Sequence, residues 1–276
     1  NYKKSFGRNN FDLTLAYEAY RYYTEEFYAY GQNLYKEGVW AVDNAIDQLS
    51  GGGSTDEYVT KGIISRLNYD FDEKYFVSLS YRRDASSRFA PESRWGNFWS
   101  ASAAWNIAKE DFMSNAGWID LLKLKASFGQ QGNDDILDPS GYTNYYAYLD
   151  QYKMTGADGV FSDAALKFKG NPELTWETTN AFNAGIDFDF WHERLAGSIE
   201  YFNRTATNML YNKPTAPSNG YSSIPMNVGS MANYGIELDL TSNLVNNSNF
   251  VGTSTSTPPG SATRFSLSQK ILAVSS

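Results

Sequence analysis

Eight stretches of this 276-residue chain alternate apolar and polar side chains with a period of two, which is the repeat of a strand dry on one face and wet on the other. In the first, Phe11, Leu13, Leu15, Tyr17 and Ala19 stand against Asp12, Thr14, Ala16, Glu18 and Tyr20. Ile63, Leu67, Tyr69 and Phe71 stand against Arg66, Asn68 and Asp70, and Tyr75, Val77, Leu79 and Tyr81 against Ser78, Ser80 and Arg82. The fourth and fifth set Trp99, Ala101, Ala103, Trp105 and Ile107 against Ser100, Ser102 and Asn106, then Leu122, Leu124, Ala126 and Phe128 against Lys123, Lys125 and Ser127. The last three put Phe182, Ile186, Phe188 and Phe190 opposite Asn183, Asp187 and Asp189, Leu195, Ile199 and Tyr201 opposite Ser198 and Glu200, and Tyr234, Ile236, Leu238 and Leu240 opposite Glu237 and Asp239. An all-β, antiparallel fold follows.

The connections alternate in length. Compact links at Phe71–Lys74 and Trp191–Arg194 trade places with long polar ones at Tyr28–Glu57, Gly132–Leu174 and Asn212–Val228, and Glu110–Met113 reads as one helical turn. Short turns on one rim and long loops on the other describe a transmembrane β-barrel with an apolar lipid face and a polar lumen. A soluble antiparallel sandwich with one wet face has the same alternation. Strand length favours the bilayer: several runs reach ten residues or more, above the globular norm of about 5 or 6 and near the 9–11 of a tilted crossing. Tyr20, Tyr22, Tyr23, Trp95, Trp99, Trp118, Phe190 and Trp191 lie near strand ends, where they suit interfacial girdles.

Composition narrows the chemistry. Hydrophobic residues make up 42% of the chain, enough for a sizeable apolar surface, yet mean hydropathy is only −0.50. A net charge of −8 repels phosphate backbones, so nucleic acid is not an expected partner. With no cysteine and His192 as the one histidine, thiol chemistry and Cys/His metal sites are excluded. No nucleophile elbow surrounds His192, which reads as an exposed turn residue, and no enzyme, catalytic residue, metal site or cofactor is expected.

Four stretches then carry a resemblance. They are Arg66–Tyr69 through Tyr75–Phe89, Arg94–Ser100 with Ala104-Trp105, Leu122–Gly129 with Gly132-Asn133, and Gly170–Glu177, followed by Tyr201–Arg204 and Asn227–Leu238. In order and spacing these resemble the later barrel strands of SusC/RagA-type TonB-dependent outer-membrane transporters, over roughly residues 10 to 245. The resemblance implies an antiparallel barrel segment of about eight to nine strands in a Gram-negative-type outer membrane, contacting lipid. It further implies import of glycans or peptides, a SusD-like surface lipoprotein over the loops, and energy from the TonB complex through a plug that this chain lacks. Pro172 pre-sets a turn before a strand expected from Leu174. A soluble or surface-exposed carbohydrate-binding β-protein is the alternative.

The expected organisation is a partial barrel over residues 1–250 and an atypical Ser/Thr-rich tail over 251–276. Alternation and resemblance both stop near Phe250, where Pro258-Pro259 denies ladder donors, which marks a frame change or a disordered tail. In the loop Gly132–Gly159, Tyr142, Tyr145, Tyr146, Tyr148 and Tyr152 are mixed with Asn and Asp, a composition able to contact a glycan or to pack the loop on itself. Asp134, Asp135 and Asp138 lack the alternating oxygens of a calcium loop and read as solvated. Gly51-Gly52-Gly53-Ser54 reads as a flexible loop tip. The charges Arg66, Arg82, Lys123, Lys125, Asp187 and Glu200 share the polar face and are expected to pair across strands.

Overall fold

In a computed structural model, residues 1–157, 160–247, 250–256 and 270–272 are described, the side chains at 47–49, 155–163 and from 243 onward excepted. The strands are β1 (Tyr2–Phe6), β2 (Asn9–Leu34), β3 (Ala45–Phe71), β4 (Tyr75–Ser86), β5 (Trp95–Asn106), β6 (Ile119–Asn133), β7 (Gln151–Ala157), β8 (Val160–Phe168), β9 (Glu177–Phe190), β10 (Leu195–Thr207), β11 (Leu210–Pro214), β12 (Ser223–Asn227), β13 (Ser230–Asn247), β14 (Phe250–Ser256) and β15 (Lys270–Leu272). One sheet runs β1-β2-β3-β4-β5-β6-β9-β10-β13-β14, with β15 also on β13, and the pairs β7–β8 and β11–β12 are separate hairpins. Every pairing is antiparallel. Among the described residues the main path has ten strands, against the eight to nine expected; β1 and β14 carry too little alternation to be read from sequence.

Register carries the alternation across strands. Phe11, Tyr69, Val77, Ala103, Ala126, Ala184, Tyr201 and Ile236 lie on one cross-strand row. The next row contains Tyr75, Trp105, Leu124, Ile186, Ile199 and Leu238. This apolar face is open: Leu15 and Tyr17 are each 67% exposed, and Leu79, Ile199 and Ile236 nearly half. The polar face is concave, since Lys3, Asn10 and Asp12 line one hollow together with Lys125, Ser127, Asn183 and Glu200. A soluble sandwich would bury its apolar face under a second layer, and among the described residues none lies there.

The turns on the short rim are held in left-handed backbone. Asp72 and Glu73 (φ 54° and 52°) belong to the three-residue link Asp72-Glu73-Lys74 of β3 to β4, in which the Lys74 N–H donates to the Phe71 carbonyl at 2.9 Å. Trp191, His192 and Glu193 (φ 56°, 59° and 65°) link β9 to β10. Three N–H groups fix this unfavourable run, Trp191 to the Trp118 carbonyl at 2.7 Å, His192 to Asp120 Oδ2 at 2.5 Å and Glu193 to Asp189 Oδ1 at 3.1 Å.

Three expectations change. Tyr28–Glu57 is no polar loop: β2 and β3 continue as a long ribbon, and Gly51, Gly52 and Gly53 are strand residues opposite Ala29, Tyr28 and Phe27. A Cβ at Gly52 would lie 2.7 Å from Tyr28 Cζ, so the glycine makes room for the ring that crosses it. The strand expected from Leu174 begins at Glu177, because Leu174 is fully buried in a loop core. Past residue 250, the backbone of Phe250–Ser256 pairs with Leu240–Asn247, so lost alternation does not end the ladder there. Residues 257–269 and 273–276 of the expected tail lie outside the described residues.

Candidate functional site: the polar wall and its outer mouth

The concave wall carries ion pairs within and between its strands. Lys125 Nζ on β6 reaches Asp187 Oδ1 on β9 at 2.8 Å and Glu200 Oε2 on β10 at 3.1 Å, tying three strands. Nearer the long-loop rim, Arg82 on β4 holds Glu18 on β2 at 3.0 Å and Asp84 at 2.6 Å. Lys123 Nζ lies 4.6 Å above the Phe76 ring. Cross-strand pairing of these charges, expected from the pattern, is therefore observed for Arg82, Lys125, Asp187 and Glu200.

On the outer face, aromatic rows bound the apolar band. Tyr75 stands opposite Trp105, and Tyr81 opposite Trp99, with about 20 Å of strand between the rows. At the short rim Tyr75 Oη and Trp105 Nε1 both donate to Glu110 Oε1, at 2.5 and 3.0 Å, and Lys74 Nζ approaches Glu110 Oε2 at 3.3 Å. Trp118 stacks on Trp191 with ring centres 5.6 Å apart, both half exposed. This is the girdle chemistry expected of Trp99, Trp118 and Trp191. Tyr20 and Tyr22 depart from that expectation: β2 carries them on the same parity as Glu18, facing the hollow.

The long loops fold into a layer with its own core of Phe89, Ile136, Ala147, Phe168 and Leu174, against which Trp176 and Leu210 pack. Phe89, Trp176 and Phe98 continue as touching rings at 5.5 and 5.4 Å, joining this core to the wall at β5. Polar side chains lock the segments together. Asn227 Oδ1 accepts from the Thr175 N–H at 2.9 Å while its Nδ2 donates to the Thr175 carbonyl at 2.7 Å, and Asn171 Nδ2 donates to the Pro225 carbonyl at 2.9 Å.

Asp134 is no solvated loop carboxylate. Its Oδ2 accepts from Tyr58 Oη at 2.8 Å and Ser86 Oγ at 2.6 Å, and Arg88, itself only 8% exposed, pairs with Asp134 at 3.4 Å and Asp135 at 3.0 Å. Burial, then the Asp134 charge, pushes the Tyr58 phenol well above its ordinary value. Asp138 caps its own turn, accepting from the N–H groups of Ser140 and Tyr142.

The five loop tyrosines divide. Tyr142 and Tyr152 are exposed. Tyr146 Oη accepts the Glu57 N–H at 3.0 Å, Tyr145 packs between Tyr22 and Tyr58, and Tyr148 is half-buried. They do not form one surface. Sequence reading did not single out Tyr58 and Arg88, and it assigned Tyr20 and Tyr22 to a girdle although Tyr20 shares the parity of Glu18.

A curved antiparallel sheet, apolar outside and polar in its hollow, with girdled edges and folded loops over one rim, defines a wall segment of an outer-membrane-type β-barrel. The chain belongs to the TonB-dependent receptor β-barrel family, whose description "TonB dependent receptor-like, beta-barrel" matches residues 1–269. It is similar to TonB-dependent receptor P39 of Formosa agariphila, at 34% identity over 202 residues, covering 73% of this chain and 19% of that protein. It is likewise similar to TonB-dependent receptor SusC of Bacteroides thetaiotaomicron, at 29% identity over 240 residues, with 87% and 24% covered. Among solved structures, a chain of the RagAB peptide transporter superposes with a TM-score of 0.83 at 25% identity, covering 92% of this chain and 28% of that one. The chain thus spans about a fifth to a quarter of the curated relatives it matches.

Proposed function

We propose that this chain is part of a TonB-dependent importer of glycans or other large nutrients such as peptides, in the outer membrane of a Gram-negative-type cell. The observation that carries the reading is the concave polar wall, Glu18–Arg82–Asp84 above and Lys125–Asp187–Glu200 below, roofed by a loop layer with a dry core of its own. Such a wall gives a hydrated solute a path lined by paired charges while the opposite face stays in lipid. Among the similar proteins, the RagAB peptide transporter is named for a peptide cargo, which supports the peptide arm of this reading, and SusC is named a TonB-dependent receptor, which supports the TonB-dependent arm. A SusD-like surface lipoprotein is the proposed partner over the loop layer, and the TonB complex, acting through a plug outside this chain, is the proposed energy source. The role is transport and not catalysis.

Uptake of labelled oligosaccharides and peptides is measured in cells that carry or lack the gene, with and without a functional TonB system. Uptake lost in both the gene deletion and the TonB-deficient strain is expected. Uptake independent of either would refute the reading.

A further inference from the structure

Tyr20, Tyr22, Tyr58 and Tyr145 form a run of rings on the concave side of the outer mouth. Neighbouring ring centres are 6.1 Å apart for Tyr22 and Tyr145, 6.0 Å for Tyr145 and Tyr58, and 6.2 Å for Tyr58 and Tyr20. The back of the run is fixed. The Arg88 guanidinium lies 4.4 Å from the Tyr58 ring centre and 5.3 Å from that of Tyr145, anchored by Asp134 and Asp135, and Tyr58 Oη is tied to Asp134. The front is open, with Tyr20 52% and Tyr22 37% exposed. On the same face of β2, Glu18 meets Arg82, which also holds Asp84.

We propose that these rings are a binding platform for a neutral oligosaccharide, Tyr20 and Tyr22 supplying the stacking faces and the Glu18–Arg82 pair the hydrogen bonds. The proposal rests on the importer reading and names its cargo class. Pyranose rings present flat C–H faces, which an aromatic ring held rigid from behind receives at little entropic cost. Their hydroxyls both donate and accept, so an adjacent carboxylate and guanidinium can each be used. The charge selects further: one guanidinium between two carboxylates leaves a negative surplus, which repels acidic polysaccharides and peptide carboxylates. A peptide would call for pockets that take apolar side chains, whereas Glu18, Arg82 and Asp84 border this platform.

The test uses the complete polypeptide that carries this chain, purified in detergent. Binding is followed by calorimetry with maltohexaose, laminarihexaose, xylohexaose and mannohexaose, with a galacturonate hexamer, and with a mixed-sequence hexapeptide pool. At least one neutral hexasaccharide is expected to bind, weakened tenfold or more by Tyr20→Ala or Tyr22→Ala. Tyr20→Phe, which keeps the ring, should retain binding, and Tyr23→Ala, on the opposite face of the same strand, should leave it unchanged. A heat-modifiable band on gels verifies that each variant is folded. Absence of binding by every neutral hexasaccharide, binding of only peptide or galacturonate, or parental affinity in both Tyr→Ala variants overturns the proposal. TonB-dependent uptake of peptide in that event leaves the importer reading standing, so the two failures are distinct.

Discussion

The indole N–H of Trp176 donates to the carbonyl oxygen of Arg94 at 2.9 Å, joining the residue just before β5 to the one just before β9. Each lies in one of the stretches that carry the family resemblance, which sequence alone could not show to be in contact. Trp176→Phe keeps the ring contacts to Phe89 and Phe98 and removes the donor, at an expected cost of about 1 kcal/mol. Leu174→Ala empties a fully buried site and should cost about 2–5 kcal/mol. Urea midpoints for protease protection of residues 134–176 check the order.

The two faces of β6 should respond oppositely to charge. Leu124→Arg puts a guanidinium on the lipid side, at about 2–4 kcal/mol near the bilayer midplane. Lys125→Ala leaves Asp187 and Glu200 without their bridge in a hydrated hollow and should cost under about 1 kcal/mol. Yield of the heat-modifiable folded form of the complete protein, compared between the two variants, reads the difference. Equal yields would mean that the facing is wrong.

Arg88 holds a different kind of position. With its side chain only 10% exposed, Arg88→Met would leave Asp134 and Asp135 without their cation and remove contact with two tyrosine rings. Breaking a buried pair from one side costs about 3–5 kcal/mol. The loss should show as faster hydrogen exchange at 56–60 and 132–136 together, since the network joins these segments.

At the base of the β7–β8 hairpin, Lys169 and then the Gly170 N–H hold the Asp150 carboxyl below its ordinary range. A depressed pKa in the folded state means that the contribution is complete above the unfolded value of 3.8 and is lost as pH falls through the lower folded value. Both side chains reach solvent, so water screens the pair and its contribution is small. Exchange at Gly170, corrected for its intrinsic rate, should rise below pH 3.8 in the parent. Asp150→Asn should exchange faster than the parent at pH 6, with little change on acidification.

Lipid-facing parity was legible because lipid and lumen impose opposite demands at every second residue: Leu124 and Ile186 stand out from Lys125 and Asp187 without any knowledge of neighbours. The ribbon of β2 and β3 beyond the long-loop end of the shared sheet was not, because most of its side chains on both sides are exposed and alternation disappears there; Gly51–Gly53 then imitate a loop. Leu174 and Phe89 are apolar residues in irregular segments, where no period marks what they bury against. The run of rings was split for the same reason, since β2–β3 register sets Tyr20, Tyr22 and Tyr58 together while Tyr145 reaches them from a loop.

The core made by Phe89, Ile136, Ala147, Phe168 and Leu174 is shielded from water by protein, whereas Leu15, Ile199 and Ile236 lie exposed on the outer face, which the importer reading places against lipid. Melting the loops hydrates apolar surface and should therefore absorb heat with a positive heat-capacity change. Disrupting the wall inside a detergent micelle largely exchanges one apolar contact for another and should show little of it. Calorimetry of the complete protein would then record a cap that melts like a water-soluble domain on a wall that does not, and Leu174→Ala should lower the first transition while leaving the second in place.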